Sequence, residues 1–375
     1  MKKIYFVYNP EQDKIPWPEH IPFRPERTAL TRKILTDMQL FVAPGVEELA
    51  APPASREDLL AFHTAEYLRI LEQADAGRFD PAWLWAGLGG DDTPVFPGIF
   101  LFSTLACGAT LQGARLLLEG QADIAVNLTG GFHHARADHA AGFCYLNDVV
   151  LACQMLAQKG RVVYLDIDAH QADGVQEAFY QSDRVFTLSV HESGETLYPG
   201  TGWEEEIGSG AGEGYNLNLP LPAGCYDGAF LRGIEEVCLP LIDAYRPDFI
   251  VLQCGMDGLH GDPLAHLKLT NESQATVVRR LLERNRPLLV TGGGGYHVQN
   301  TARGWARVWL VLTAQEQVED YSLGMGGVML ESTEHAGGLR DRQLHPSPSE
   351  RQAVDARLTA SLEKLKKLLF PRHGL

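Results

Sequence analysis

At 375 residues, 45% of them hydrophobic and 21% charged, the chain has the composition of a folded soluble protein, with room for one large domain or two ordinary ones. Its formal net charge of −16 argues against a nucleic-acid partner, because so acidic a surface repels phosphate backbones. The same charge mildly favours a cationic substrate, although high negative charge also serves solubility alone.

The chain begins MKKIYFVYNP, too brief an apolar stretch for a signal-peptide core and without a small-residue cleavage site, so Ile4 to Tyr8 reads as a first buried strand. No apolar run is expected to approach the roughly 20 residues of a membrane span, and no membrane partner is expected. Residues 123–128 (DIAVNL) form a short β-rich run, followed by a helical pattern over 143–159. Residues 161–167 (RVVYLDI) and 184–190 (RVFTLSV) repeat the strand pattern, and 194–214, rich in glycine and glutamate, read as a long surface loop. A helix over 229–245, a strand over 248–254 (DFIVLQC), a helix over 272–284 and a strand over 287–291 (PLLVT) continue the alternation. Continuous apolar runs indicate strands covered on both faces, as in a parallel sheet, and their alternation with helices predicts an α/β layered fold. Residues from about 316 to 349 are polar and read as a surface-wrapping segment. A closing helix is expected after the HPSPS turn, with Leu358, Leu362, Leu365 and Leu369 at helical spacing. No repeat or linker divides the chain, so residues 1–375 read as one domain. The six cysteines show no CxxC spacing and sit mostly inside apolar segments, which suits a reducing cytoplasm rather than a disulfide framework.

The polar residues fall in a pattern. In open α/β sheets, ligands bind beyond the carboxyl ends of the strands. After 123–128 comes TGGFHH, with His133 and His134; the run 161–167 carries Asp166 and leads to Asp168, His170 and Asp173. After 248–254 comes GMDG, with Asp257, and after 287–291 comes GGGGYH, with Tyr296. Asp166, Asp168 and His170 alternate with apolar residues, so in an extended chain they share one face. Asp168 and His170 are placed as metal ligands, with Asp257 as a third, and three protein ligands plus an open position describe a catalytic zinc site. The oxygen-rich set leaves Fe(II), Mn(II) or Co(II) open. Any one of these aspartates alone reads better as a helix cap; the grouping from separate strands is what points to a site.

His133 and His134 follow Gly130–Gly131, which let the backbone turn tightly towards a ligand, and paired imidazoles suit acid–base work near neutral pH. Asp166 and Asp173 are placed to accept a hydrogen bond from one imidazole each. The GGGG run lacks the lysine of a phosphate loop; it reads instead as backbone passing close to the site, presenting Tyr296 either as a donor to an oxyanion or as a buried structural tyrosine.

The segments GGFHHARADHAAGFCYLND, YLDIDAHQADGVQEAFY, TLSVHESGETLYPGTG, LQCGMDGLHGDPL and GGGGYH, in this order, resemble the histone deacetylase family, especially its bacterial deacetylase-like and acetoin-utilisation-type members. The resemblance covers a core of about residues 25–312. It implies an arginase/deacetylase-like fold of about eight strands, with residues 313–375 as the wrapping segment and closing helix. It implies a metal-dependent hydrolase that removes acetyl from acylated lysine or a similar amine. Asp168, His170 and Asp257 become the zinc ligands. His134 backed by Asp173 becomes the general base, His133 backed by Asp166 its charged partner, and Tyr296 the group that polarises the carbonyl. Gly142, Phe143 and Tyr198 would wall the channel, with Leu264 at its rim and Asp92 gripping substrate backbone. Arg27 would line an acetate-release cavity. Structural potassium is implied at Asp166, Asp168, His170, Ser189 and Val190, and at Phe179, Ser182, Val185 and Tyr215. Two departures stand in the ligand segment: Gln171 where the family has a second histidine and Ala172 where it has glycine, which bear on the loop geometry and the Asp173–His134 contact. Three other readings carry different signatures: an acetylpolyamine amidohydrolase, an arginase-like two-metal hydrolase needing further ligands, and a catalytically silent acyl-lysine-binding module. The oligomeric state is not legible.

Overall fold

The apolar runs become the middle of a single sheet. In the computed structural model, which describes residues 2–318 and 338–375, the strands are β1 (Ile4–Val7), β2 (Val46–Leu49), β3 (Ile124–Asn127), β4 (Val162–Asp166), β5 (Val185–Glu192), β6 (Asn216–Leu221), β7 (Phe249–Gln253) and β8 (Leu288–Thr291). They lie in the order β2-β1-β3-β8-β7-β4-β5-β6, and every pairing is parallel. The period of two is what makes the runs apolar throughout. Val163 and Leu165 of β4 join Ile250, Leu252, Leu288 and Val290 in one core, while Val162, Tyr164, Val251 and Leu289 join the core on the opposite face. Helices Glu26–Asp37, Asn271–Leu282, Val298–Leu312 and Pro348–His373 cover the first face through Ile34, Val278, Trp305 and Leu365. Ile99–Leu118, Asp148–Ala157 and Asp173–Phe179 cover the second through Leu117, Val149 and Val175.

Several expectations change. Strands β2 and β6 were not expected from the apolar pattern, because β2 (VEEL) places two glutamates on an exposed edge and β6 (NLNLPL) alternates polar with apolar residues. Both are edge strands, and Pro220 is tolerated in β6 because an edge strand need not donate on its outer side. The helix expected from residue 143 starts at Asp148, since the Asn147 side chain caps it by accepting the Val150 N–H at 2.9 Å. That frees Phe143 and Cys144 to line the site while Tyr145 and Leu146 enter the neighbouring core. The helix expected over 229–245 runs from Asp227 to Tyr245 with a π turn at Ile234–Cys238, just before Pro240. Ile99–Leu118, at 20 residues, is long and apolar enough to cross a membrane by length and composition, contrary to the expectation for this chain, but most of it is buried in the fold. The 194–214 loop includes a short 3-10 turn, Gly210–Gly212, and buries Gly202 and Gly212. Of the segment expected to wrap the surface, residues 319–337 lie outside the described residues. The closing helix is present, opened by a Ser347–Glu350 capping box, with all four leucines buried.

Candidate active site

The four strands that carry the expected site residues, β3, β8, β7 and β4, are neighbours in the sheet. Because all run the same way, their carboxyl ends share one edge, and His133, His134, Tyr296, Asp257, Asp168 and His170 meet there. Asp168, His170 and Asp257 are buried and offer ligand atoms that all lie within 4.8 Å of one another. His170 Nδ1 is 2.8 Å from Asp257 Oδ2 and 3.3 Å from Asp168 Oδ1. Burial and the Asp168 charge push the Asp257 carboxyl up to about 7. Burial works against His170, but Asp168 and Asp257 outweigh it and raise the imidazole to about 10. Two buried carboxylates favour a positive charge between them, which a protonated His170 supplies in the metal-free chain, and this mixed oxygen–nitrogen set could hold a single divalent ion in its place.

The two imidazoles are held in different states. His133 Nδ1 lies 2.7 Å from Asp166 Oδ2, and His134 Nδ1 lies 2.6 Å from Asp173 Oδ1. Their Nε2 atoms face each other at 3.1 Å. Burial opposes a charge on His133, but the Asp166 and Asp168 carboxylates outweigh it and raise its pKa to about 9. Burial and the His133 charge lower His134 to about 4 despite Asp173. Neighbouring titratable groups driven apart in this way mark an acid and a base.

Close backbone approach depends on glycine at two places. Gly142 has φ +51°, and a Cβ there would strike the His134 ring; Phe143, with φ +63°, is held in the same left-handed region without being glycine. After β8, a Cβ on Gly294 would overlap Asp257 Oδ2, and the Gly294 N–H donates to Asp168 Oδ2 at 2.6 Å. The four-glycine run therefore lies directly against the ligand carboxylates. Beyond it, Tyr296 stands between Phe143 and His170, ring centroids at 5.7 and 6.2 Å. Burial and the charges of Asp257 and Asp168 hold its phenol protonated, well above the usual range.

These residues surround a cavity of about 200 Å³. His134, His170 and Tyr296 line it, with Gly142, Phe143, Leu197 and Tyr198 as walls and Asp92 and Leu264 also in its lining. The Tyr198 ring stands edge-on to His134 at 5.1 Å. Asp92 accepts the Gly142 N–H at 2.9 Å, and its own carbonyl accepts the Phe143 N–H at 3.2 Å, so it also shapes the wall. A small recess of about 20 Å³ adjoins, sharing His134, Gly142, Phe143 and Tyr296. Arg27 does not line that recess. It is buried behind the Gly293–Gly294 wall, donating to the carbonyls of Gly295 at 2.7 Å and of Gly293. A larger groove of about 520 Å³ between the 193–205 loop and the C-terminal helix holds none of the ligands.

The departures at Gln171 and Ala172 leave the site intact. Gln171 is buried, accepting from Thr201 Oγ1 at 2.6 Å and donating to Gln176 at 3.0 Å. Ala172 has φ −78°, where glycine is not required, and the Asp173–His134 contact forms. Asp166 and Ser189 are register partners on β4 and β5, with Val190 next along β5. Phe179, Ser182 and Val185 follow one another from the end of helix Asp173–Phe179 into β5, and Tyr215 leads into β6. Three supporting residues were not legible as such. Asp148 accepts from the N–H groups of Gly131 and Phe132, fixing the turn before the histidines. Gln253 donates to the Gly131 carbonyl. Asp262 accepts the N–H of Leu264 at 2.9 Å and of Tyr296 at 2.7 Å. Asp262 stands within the GDPL segment, and the only signal for it was an acidic residue in a motif already singled out.

The histone deacetylase domain model matches residues 21–312. The chain is 42% identical over 289 residues to histone deacetylase B of Dictyostelium discoideum, covering 76% of this chain and 67% of that one. It is 37% identical over 308 residues to histone deacetylase RPD3 of Saccharomyces cerevisiae, covering 81% and 70%. Among solved structures, an HDAC homolog from Aquifex aeolicus superposes with TM-score 0.85 at 32% identity, covering 97% of this chain and 100% of that one. An HDAC homolog complexed with SAHA gives TM-score 0.86 at 33% identity, with the same coverage. The two sequence relatives are eukaryotic, so the expected bacterial subtype draws no support from them. Sequence, fold and the geometry of the metal-ligating cluster agree, and the chain belongs to the histone deacetylase family.

Proposed function

We propose that this chain hydrolyses the amide of acetyl-lysine in a peptide or protein, using one zinc ion held by Asp168, His170 and Asp257. The observation that carries this reading is a mononuclear set of three buried ligands on a narrow cavity that also receives His134 and Tyr296. When bound, the ion supplies Lewis-acid polarisation of the scissile carbonyl and acidification of a water. Iron(II) or cobalt(II) would suit the same donors.

The chain's own groups account for the proton movements. Asp173 accepts a hydrogen bond from His134 Nδ1–H and so places the ring's lone pair on Nε2, which faces His133 Nε2 at 3.1 Å in the resting site and takes the proton of the attacking water when substrate is bound. The Tyr296 phenol donates to the developing oxyanion. His133, kept charged by Asp166, offers the proton that the departing amine needs, and acetate and a free amine result. Phe143 and Tyr198 flank the alkyl arm, Leu264 forms the rim, and Asp92 keeps one carboxylate oxygen for substrate backbone. Arg27 braces the glycine wall beside the small recess, which as it stands has room for about one water and would have to widen to pass acetate.

The same reading includes structural potassium at the two sets of residues that end β4 and β5 and that join helix Asp173–Phe179 to β5 and β6. It includes a cytoplasmic location, supported by six buried free cysteines. It includes neither nucleic acid nor membrane, in keeping with the net charge of −16 and the burial of Ile99–Leu118. The test is turnover by the purified protein of an acetyl-lysine peptide beside acetylputrescine, with zinc and after chelation. Chelator-sensitive hydrolysis of the peptide is expected. Faster cleavage of acetylputrescine would make it an acetylpolyamine amidohydrolase; zinc bound with no turnover would make it a silent binding module; two manganese ions per chain would favour the arginase-like chemistry.

A further inference from the structure

One carboxylate near the site takes no part in the chemistry above and is nonetheless fully buried. Glu192 closes β5, and its side chain has 0% exposure. A carboxylate taken out of water must be repaid by donors, and those it meets belong to the two loops that build one side of the channel. Thr196 Oγ1 donates to Oε1 at 2.7 Å. The His266 backbone N–H donates to Oε2 at 2.7 Å, and His266 Nδ1 lies 2.8 Å from Oε1. Thr196 precedes Tyr198 by two residues, and His266 follows Leu264 by two. The His266 ring is 62% exposed, so burial of that ring does not explain its position; the bond to Glu192 does. The Glu192 N–H, meanwhile, donates at 2.8 Å to the carbonyl of Ala169, between the ligands Asp168 and His170. One residue thus ties the ligand segment to both channel loops.

We propose that Glu192 is a positioning residue that clasps the Tyr198 loop to the Leu264 loop and so sets the width of the channel mouth and the affinity for the acylated arm. Hydrogen bonds to an ionised acceptor are about twice as strong as neutral ones, which suits a clasp between two loops that share no strand. The proposal rests on the deacylase reading for its kinetic consequence, but not for its structural one.

The experiment compares wild type with Glu192→Gln, which keeps the shape but removes the carboxylate and leaves one accepting oxygen in place of two for Thr196, the His266 N–H and the His266 ring. KM for an acetyl-lysine peptide is expected to rise on the order of tenfold, with kcat at saturation and zinc content close to wild type. Amide hydrogen exchange should quicken in residues 193–201 and 262–268 together, and not in β4 or helix Asn271–Leu282. Thr196→Val, a milder change, should quicken exchange in the first loop alone and raise KM less. Unchanged KM, a fall in kcat at constant KM, or faster exchange confined to one loop in Glu192→Gln would overturn the clasp. If wild type fails to turn over any acetyl-lysine peptide, the deacylase reading falls, and the exchange measurement still decides the role of Glu192.

Discussion

In the proposed reaction, Tyr296 and the two histidines divide the acid–base work by their surroundings rather than by their identities. The phenol is held protonated by burial and by Asp257 and Asp168, so it is a donor at neutral pH. Tyr296→Phe is expected to lower kcat by about 10²–10³, roughly 3–4 kcal/mol, with zinc content unchanged by metal analysis. His134 must be neutral to accept a proton and His133 charged to offer one. With values of about 4 and about 9, kcat/KM should fall in acid as His134 takes up a proton and fall in alkali as His133 loses one. Asp166→Asn removes the strongest attraction for the His133 proton, so the alkaline limb of a pH–rate profile should move to lower pH. The ligands, histidines and tyrosine were legible in the sequence because each chemical type follows an apolar run. Asp148, Gln253 and Asp262 were not, because what they do is bind backbone groups whose spatial proximity only the fold creates.

At the scale of elements, visibility tracked unbroken apolar sequence rather than burial, since β6 is buried at every residue yet alternates polar with apolar side chains. The central strands β3, β4, β7 and β8 are covered on both faces and read as unbroken apolar runs, while the edges β2 and β6 carry polar residues and escaped notice. The start of helix Asp148–Ala157 was misplaced because FCYL before it is as apolar as the helix itself; those residues serve the channel and the neighbouring core. The loop after β8 carries a sharper consequence. A methyl group on Gly294 would occupy the space of Asp257 Oδ2 and press on Asp168 Oδ2, so it would crowd both proposed carboxylate ligands. Gly294→Ala should therefore weaken zinc binding more than tenfold in a chelator competition, while urea unfolding of the metal-free protein shifts little. Retained affinity would mean that the ligand carboxylate has another place to go.

Across the whole molecule, buried neutral histidines set the response to acid. His63 accepts the Asn147 N–H at 3.0 Å, and His191 bridges Ser189 and the Gly202 carbonyl. Burial lowers both to about 4, below the ordinary 6.5. Such groups contribute their full stability above about 6.5, and it is lost as the pH falls towards 4, because the unfolded chain binds protons that the folded one refuses. The loss should be on the order of 2–3 kcal/mol per histidine. Urea midpoints measured from pH 7 down to 4.5 should fall steadily, and His63→Gln should flatten the fall; a midpoint independent of pH would contradict the buried neutral state.

The strand order has a consequence for biosynthesis. Strands β7 and β8, made late, lie between β3 and β4, made early. A nascent chain halted before residue 249 holds the twin imidazoles and two of the three proposed ligands but lacks β7, β8, the closing carboxylate and the phenol. Its unfinished sheet has no way to bring β3 beside β4 through the missing strands. Hydrolytic competence is therefore expected only once β7, β8 and Tyr296 have all been made, and a ribosome-bound intermediate of this length should neither retain zinc nor cleave an amide.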